Sequence, residues 1–283
     1  MYNRAYIEIT NICNLQCSFC PQREQKKPQL KMSPEAFEGI IKQVKPLTKE
    51  VFLHVMGEPL THPDLKELLE ICACHQITAN ITTNGRLLQK VKHVLLHAKA
   101  VRTINISLHS FEGDDNGMEQ YLEQVLAFVQ EGLQEPDCHV TFKLRVWNLE
   151  ANPFILRKIE QYFSLQEGEL RQQVTAKEGI RLARRVFLSQ AEQFQWPSLQ
   201  APVYEGDAFC LGMSKQFAIL ADGRVVPCCL DGEGVVTLGN VFEMPLQEIL
   251  NGPRANAIRQ GFQQGKAVEE LCKRCQYRLR FRK

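Results

Sequence analysis

Eleven cysteines constrain this 283-residue chain more than any other feature of its sequence. Three of them, Cys13, Cys17 and Cys20, fall within the stretch EITNICNLQCSFCPQ, and five more, Cys210, Cys228, Cys229, Cys272 and Cys275, lie in the last quarter. Only Cys72, Cys74 and Cys138 stand outside both groups. A disulfide scaffold suits a short secreted chain, whereas this one is long and opens on a strand pattern, Ala5-Tyr-Ile-Glu-Ile, with no charged leader and apolar run before it. The expected compartment is therefore the reducing cytoplasm, where clustered thiols hold metal. A formal net charge of +2 makes neither a polyanion nor a membrane surface the default partner. No apolar stretch approaches the length needed to span a bilayer.

The length admits one large domain and a smaller one. The first half alternates β-branched runs with apolar residues at helical spacing, the pattern of repeated βα units around parallel strands. Expected strands are Tyr6–Thr10, Glu50–Val55, Ile77–Thr82, Thr103–Leu108 and Val140–Val146. Ser33 and Pro34 predict a helix start, followed by apolar Phe37, Ile40, Ile41 and Val44. The next helix repeats the spacing with Leu65, Leu68, Leu69 and Cys72, so Cys72 reads as a core thiol. Pro153 opens a helix through Tyr162, LQEGELRQQVTAKEG is polar and glycine-interrupted, and a further strand is expected near Val186–Leu188. FQWPSLQAPVYEGD has a linker's composition. FAILADGRVVPCC then reads as a hairpin, followed by short helices near Leu246–Leu250 and Pro253–Gly261. The expected fold is α/β: a partial (β/α)6 barrel with parallel strands over residues 1–195, then a small α+β cysteine-rich metal-binding domain over 196–283, too light to fold without metal.

A structural zinc site takes four ligands, usually two C-x2-C pairs or cysteines with histidines. The first group is C-x3-C-x2-C with no histidine nearby, which suits zinc poorly. Three thiolates from one loop ligate three irons of a [4Fe–4S] cube and leave the fourth open to a substrate or cofactor.

CNLQCSFC resembles the C-x3-C-x-φ-C signature of the radical S-adenosylmethionine (SAM) enzymes, in which φ is aromatic, with Phe19 at that position. The resemblance implies that SAM chelates the open iron through its amino and carboxylate groups. An electron from the cluster then cleaves the sulfonium to methionine and a 5′-deoxyadenosyl radical, which abstracts hydrogen from an unactivated C–H bond. HVMGEP resembles the family's G-G-E-P segment, whose backbone holds the SAM amino group. Gly57, Glu58 and Pro59 carry over, while Met56 stands where glycine is usual. TTNG, with Thr83 and Asn84, and ISLHS, with Ser107, sit where relatives contact the ribose and carboxylate of SAM. Arg145 offers that carboxylate a bidentate fork, or is a surface strand charge; His109 faces substrate in one reading, and the acidic FEGDDNG beside it reads as solvated. These candidates fall at carboxyl ends of strands, where such folds place their sites.

Cys210, twelve residues, Gly223, four residues and Cys228 resemble the C-x(9–15)-G-x4-C opening of the SPASM and twitch extensions of that family. With Cys272 and Cys275 of LCKRC the resemblance implies four thiolates around one auxiliary [4Fe–4S] cluster. The longer SPASM pattern needs further cysteines after that pair, and the sequence has none in the eight residues past Cys275. One auxiliary cluster is therefore expected, two clusters in all, with zinc in the C-terminal set as the alternative. Cys229 competes with Cys228, and the spacing from Gly223 favours Cys228. The basic tail CQYRLRFRK docks an acidic partner, is solvated, or tunes the cluster's potential.

A sealed cluster cannot chelate substrate, so it transfers electrons or supports structure. Relatives with such extensions oxidise residues in peptides or proteins, form crosslinks, or dehydrogenate sugar-like alcohols. The implied activity is an oxidative radical SAM reaction, an oxidoreductase acting on a peptide or small molecule, with flavodoxin or ferredoxin as reductant. The absence of an N-terminal peptide-recognition domain weighs against peptide crosslinking. A non-catalytic electron carrier or metal-stapled protein is the alternative from another class. RNA modification is disfavoured by the near-neutral charge.

Overall fold

The structure, a computed structural model, describes residues 2–24, 28–147, 153–173 and 179–281. In chain order its strands are β1 (Arg4–Ile7), β2 (Glu50–Phe52), β3 (Thr78–Thr83), β4 (Val101–Ser107), β5 (Thr141–Trp147), β6 (Ile180–Ala183), β7 (Val186–Ala191), β8 (Gln216–Ile219), β9 (Arg224–Val226) and β10 (Gly239–Asn240). The helices are α1 (Pro34–Val44), α2 (Leu65–Cys74), α3 (Leu88–His97), α4 (Asp115–Gln134), α5 (Pro153–Tyr162), α6 (Glu169–Gln173), α7 (Leu246–Asn251), α8 (Pro253–Gln263) and α9 (Glu270–Lys273). The chain is α/β with mostly parallel strands, and it packs as two compact units, Met1–Thr78 with Phe194–Lys283, and Ala79–Gln193.

The first unit has strand order β10-β9-β8-β1-β2. β1 pairs in parallel with β2, Ala5 beside Val51, and also with β8, Ala5 beside Phe217 and Ile7 beside Ile219. The C-terminal hairpin β8–β9 thus extends the sheet of β1, a pairing across some two hundred residues that no local pattern announces. α1 starts as its residues dictate: Pro34 fits the first turn and the Ala36 N–H donates to Ser33 Oγ at 3.2 Å. Its apolar face, Phe37, Ile40, Ile41 and Val44, is buried, each side chain contributing about 1.5–3 kcal/mol of burial. α2 buries Leu65, Leu68, Leu69 and Cys72, and burial pushes the Cys72 thiol up to about 12.

In the second unit the order is β3-β4-β5-β7-β6, parallel except at β6. The acidic stretch before α4 caps that helix, since the Gly117 N–H donates to Asp114 Oδ1 at 2.8 Å. The polar stretch from 165 to 179 carries α6 and opens into β6, while residues 174–178 lie outside those described. The segment from Phe194 to Asp207 is no slack linker: the Tyr204 N–H donates to the Lys273 carbonyl at 3.0 Å, and Ala201 is buried. Among the described residues no helix is long and apolar enough to cross a membrane.

Candidate functional site

The three cysteines of the N-terminal group follow β1 in one half-buried loop. The Leu15 N–H donates to Cys13 Sγ at 3.4 Å, and the Cys20 N–H closes a turn onto the Cys17 carbonyl at 3.0 Å. Phe19, between them, is half-buried. Burial pushes the Cys13 and Cys20 thiols up, so a bare loop disfavours the thiolates that iron would stabilise.

Gly57, Glu58 and Pro59 are tied to the start of that loop. The Glu58 N–H donates to the Ile12 carbonyl at 2.8 Å and the Gly57 N–H to Gln22 Oε1 at 2.9 Å, while Gln22 Nε2 donates to the Asn11 carbonyl. Gly57 has φ +72°, and a Cβ there would lie 2.4 Å from the Thr10 carbonyl oxygen, so only glycine fits. The Glu58 carboxylate turns inward to cap the following turn, accepting from the Leu60 N–H at 3.1 Å. Met56, the departure from the family pattern, is 5% exposed, and its side chain packs so closely on Gly232 that a Cβ there would meet Met56 Cε at 2.6 Å. Glu8, 4% exposed, holds the same segment from below: its carboxylate accepts from the Met56 N–H and the Ala221 N–H, each at 3.0 Å.

In the second unit Thr83 and Asn84 end β3. The Gly85 N–H donates to Thr83 Oγ1 and the Arg86 N–H to Asn84 Oδ1, each at 3.0 Å, and the Tyr121 hydroxyl donates to the Asn84 carbonyl at 2.8 Å. Ser107 and Arg145 are register partners in β4 and β5, both half-buried. His109 donates from Nδ1 to the Arg145 carbonyl at 3.2 Å and stacks on Trp147 with ring centroids 4.1 Å apart. Burial lowers the His109 pKa to about 4, making it a neutral imidazole at pH 7.

The C-terminal group lines one small cavity. Cys210, Cys228, Cys272 and Cys275 all line it, with an otherwise mainly apolar wall that includes Pro227, Val236, Phe262 and Leu271. Among the described residues no three Cys, His, Asp or Glu side chains converge on a point as ligands of one ion would. Burial and mutual repulsion push the Cys228 and Cys272 thiols well above the ordinary range, and burial carries Cys210 up to about 11. Cys229 is not on that wall: it packs against the cluster of Tyr6, Met56, Leu220 and Val226, hydrogen-bonded to the Tyr6 hydroxyl. Gly223, φ +84°, turns the hairpin where a Cβ would strike Phe242 at 2.4 Å.

The Radical SAM superfamily model matches residues 7–132, and the model of the SPASM iron–sulfur cluster-binding domain matches residues 210–276. The chain belongs to the radical SAM superfamily. Its radical SAM and SPASM segments imply [4Fe–4S] clusters and SAM as cofactors, and the donor sets fit: three thiols in one loop, four around one cavity. This radical SAM chain is 24% identical over 274 residues to GTP 3′,8-cyclase of Microcystis aeruginosa, covering 82% of each protein. A probable GTP 3′,8-cyclase of Pyrococcus abyssi is 29% identical over 106 residues, of which this chain spans about a third of the relative's length, 34%. The fold is similar to that of BtrN in complex with AdoMet and 2-DOIA, with TM-score 0.64, 17% identity, and coverage of 98% of this chain and 93% of that one. AdoMet-bound anSMEcpe gives TM-score 0.64 at 15% identity, covering 98% and 84%.

Glu8, Gln22, Asp231 and Trp147 escaped the reading of the sequence, and Arg278 entered it only as part of the basic tail CQYRLRFRK. A glutamate just past a strand, or an arginine in a basic tail, has no signature before its partners are known; the one available signal was Glu8 between the apolar Ile7 and Ile9.

Proposed function

We propose that this radical SAM enzyme oxidises a small molecule or a peptide side chain, with residues 1–195 serving SAM chemistry and 196–283 holding a single auxiliary [4Fe–4S] cluster. The observation that carries the reading is the closed set of four thiols around one cavity. A fully ligated cluster has no iron to offer substrate, so its chemical use is to pass electrons. Cys13, Cys17 and Cys20 would hold the SAM-binding cluster, and Cys210, Cys228, Cys272 and Cys275 the auxiliary one. SAM and the open-iron cluster, when bound, supply reductive sulfonium cleavage and a 5′-deoxyadenosyl radical that abstracts hydrogen.

This chain's own residues do the positioning. Gly57 lets the backbone approach closely, while Gln22 and the Ile12 carbonyl orient the Gly57 and Glu58 N–H groups. Glu58 and Pro59 shape the turn that presents that backbone, and Phe19 lies half-buried within the cysteine loop. Thr83, Asn84 and Ser107 would supply hydrogen bonds to the ribose and carboxylate of SAM, and Arg145 a fork to the carboxylate. His109, neutral and fixed by Trp147 and the Arg145 carbonyl, offers substrate a hydrogen-bonding ring without a charge. The likeness to BtrN over nearly its whole length supports a small-molecule substrate. Electrons would come from a flavodoxin- or ferredoxin-like reductant.

Anaerobic iron counting and a SAM-cleavage assay test this reading. About eight irons per chain are expected, falling to about four when Cys13, Cys17 and Cys20 are changed to alanine, with loss of 5′-deoxyadenosine formation. Reduced, iron-replete protein that yields no 5′-deoxyadenosine overturns it.

A further inference from the structure

One charged side chain of the basic tail lies inside rather than outside. Arg278 is 3% exposed and lines the cavity of the four thiols. Its guanidinium is locked by backbone carbonyls on all sides: Nε donates to the Cys272 carbonyl at 3.1 Å, one terminal nitrogen to that of Asp207 at 3.2 Å, and the other to that of Tyr204. Asp231, also 3% exposed on the same wall, is held equally firmly, its two oxygens accepting the Val235 and Val236 N–H groups at 2.8 Å. A fixed cation and a fixed anion therefore flank the four sulfurs within an otherwise mainly apolar wall, where charge is weakly screened.

We propose that Arg278 sets the reduction potential of the auxiliary cluster, holding it high enough to accept an electron, with Asp231 as the opposing charge. The assignment rests on the oxidative reading above. Taking up one electron makes the cluster one unit more negative, which a nearby cation favours and a nearby carboxylate opposes. The electron would come from the radical left on substrate after hydrogen abstraction, which also gives up a proton to solvent and becomes the oxidised product. Backbone N–H groups act in the same direction as Arg278: those of Tyr277 and Arg278 bond the Cys275 sulfur, and that of Gly212 bonds Cys210 Sγ at 3.4 Å. Arg278 is a positioning residue for charge; it transfers no proton and touches no reacting atom.

The test is a redox titration, followed by electron paramagnetic resonance, of the full chain carrying Cys13, Cys17 and Cys20 changed to alanine, so that only the auxiliary cluster remains. Metal content comes first: zinc in place of about four irons overturns the cluster itself, separately from the assignment to Arg278. In the iron-loaded protein, Arg278→Gln is expected to lower the potential by at least a tenfold change in the one-electron equilibrium constant, about 59 mV. Arg278→Lys, which keeps the charge and loses the fork, shifts it less, and Asp231→Asn raises it. Opposite signs are the signature, because loosening of the cavity by either variant would admit water in both. An iron-replete Arg278→Gln protein with unchanged potential, or shifts of the same sign in the Gln and Asn variants, overturns the proposal. If Arg278→Gln fails to hold iron, Asp231→Asn decides alone, and an unchanged or lowered potential there overturns it.

Discussion

The two cysteine sets of the first unit use one ligand atom in opposite ways. Cys13, Cys17 and Cys20 come from a single loop that is half-buried and held by the Gly57 N–H donating to Gln22 Oε1 and the Glu58 N–H donating to the Ile12 carbonyl. Cys210, Cys228 and the Cys272–Cys275 pair come from three separate segments and meet only because the chain between them folds around a cavity. A local set brings its ligands together before folding, and three ligands leave a position open. A dispersed set depends on the fold, and four ligands close the cluster. Metal binding at the second set is therefore coupled to folding far more strongly than at the first.

The largest effect that would break this comparison is at Cys228. Cys228→Ala removes a wall ligand and is expected to lose about four irons per chain and several kcal/mol of stability in the C-terminal segment. Cys229→Ala, whose thiol packs against the Tyr6 cluster and does not line the cavity, should keep its iron. Iron analysis and thermal melting of the two proteins check it; equal iron loss in both would remove Cys228 from its place in the set.

How much of this was legible differs between the two sets for the same reason. The loop cysteines, the helix start at Ser33 and Pro34, and the burial of Phe37, Ile41 and Cys72 depend on neighbours within a few residues, and spacing states them. The pairing of Ala5 with Phe217, the Glu8 bridge to Met56 and Ala221, and the packing of Met56 on Gly232 join residues far apart in sequence, and no periodicity encodes them. Arg278 shows the limit of reading charge by composition: its run of basic residues leaves a docking tail, a solvated one and a potential-tuning one equally open, whereas three backbone carbonyls hold this guanidinium buried. Of that run, Arg282 and Lys283 lie outside the described residues.

A second effect, of moderate size, separates the sets by pH. Burial raises Cys210 to about 11 and lifts Cys228 and Cys272 well above the ordinary thiol value of about 8.5. A folded-state pKa raised above the unfolded one gives stability that is full below about 8.5 and is lost as pH climbs toward the raised value. Metal-free protein is therefore expected to melt at falling temperature from about pH 8.5 upward, whereas iron-loaded protein, its thiolates already bound, should show a flatter profile. Differential scanning calorimetry of both forms between neutral and alkaline pH measures it, and parallel profiles would show that the four thiols do not share a desolvated cavity.

The smallest effect touches only the open set. Gly57→Ala places a Cβ against the Thr10 carbonyl oxygen in a left-handed backbone conformation, a strain of about 1–3 kcal/mol. The segment must shift to relieve it, and the Gly57 N–H that Gln22 orients shifts with it. Cys13, Cys17 and Cys20 remain as ligands, and the C-terminal cavity has no contact with the substituted atom among those nearest to it. Iron content should therefore stay near the wild-type value while SAM affinity falls by about tenfold or more, the equivalent of about 1.4 kcal/mol. Equilibrium dialysis with SAM, beside iron analysis of the same sample, reads both quantities. Iron loss in proportion to the loss of SAM binding would mean that the Gly57 segment supports the loop itself, and the division between a set that holds iron and a backbone that holds its open-site ligand would then fail.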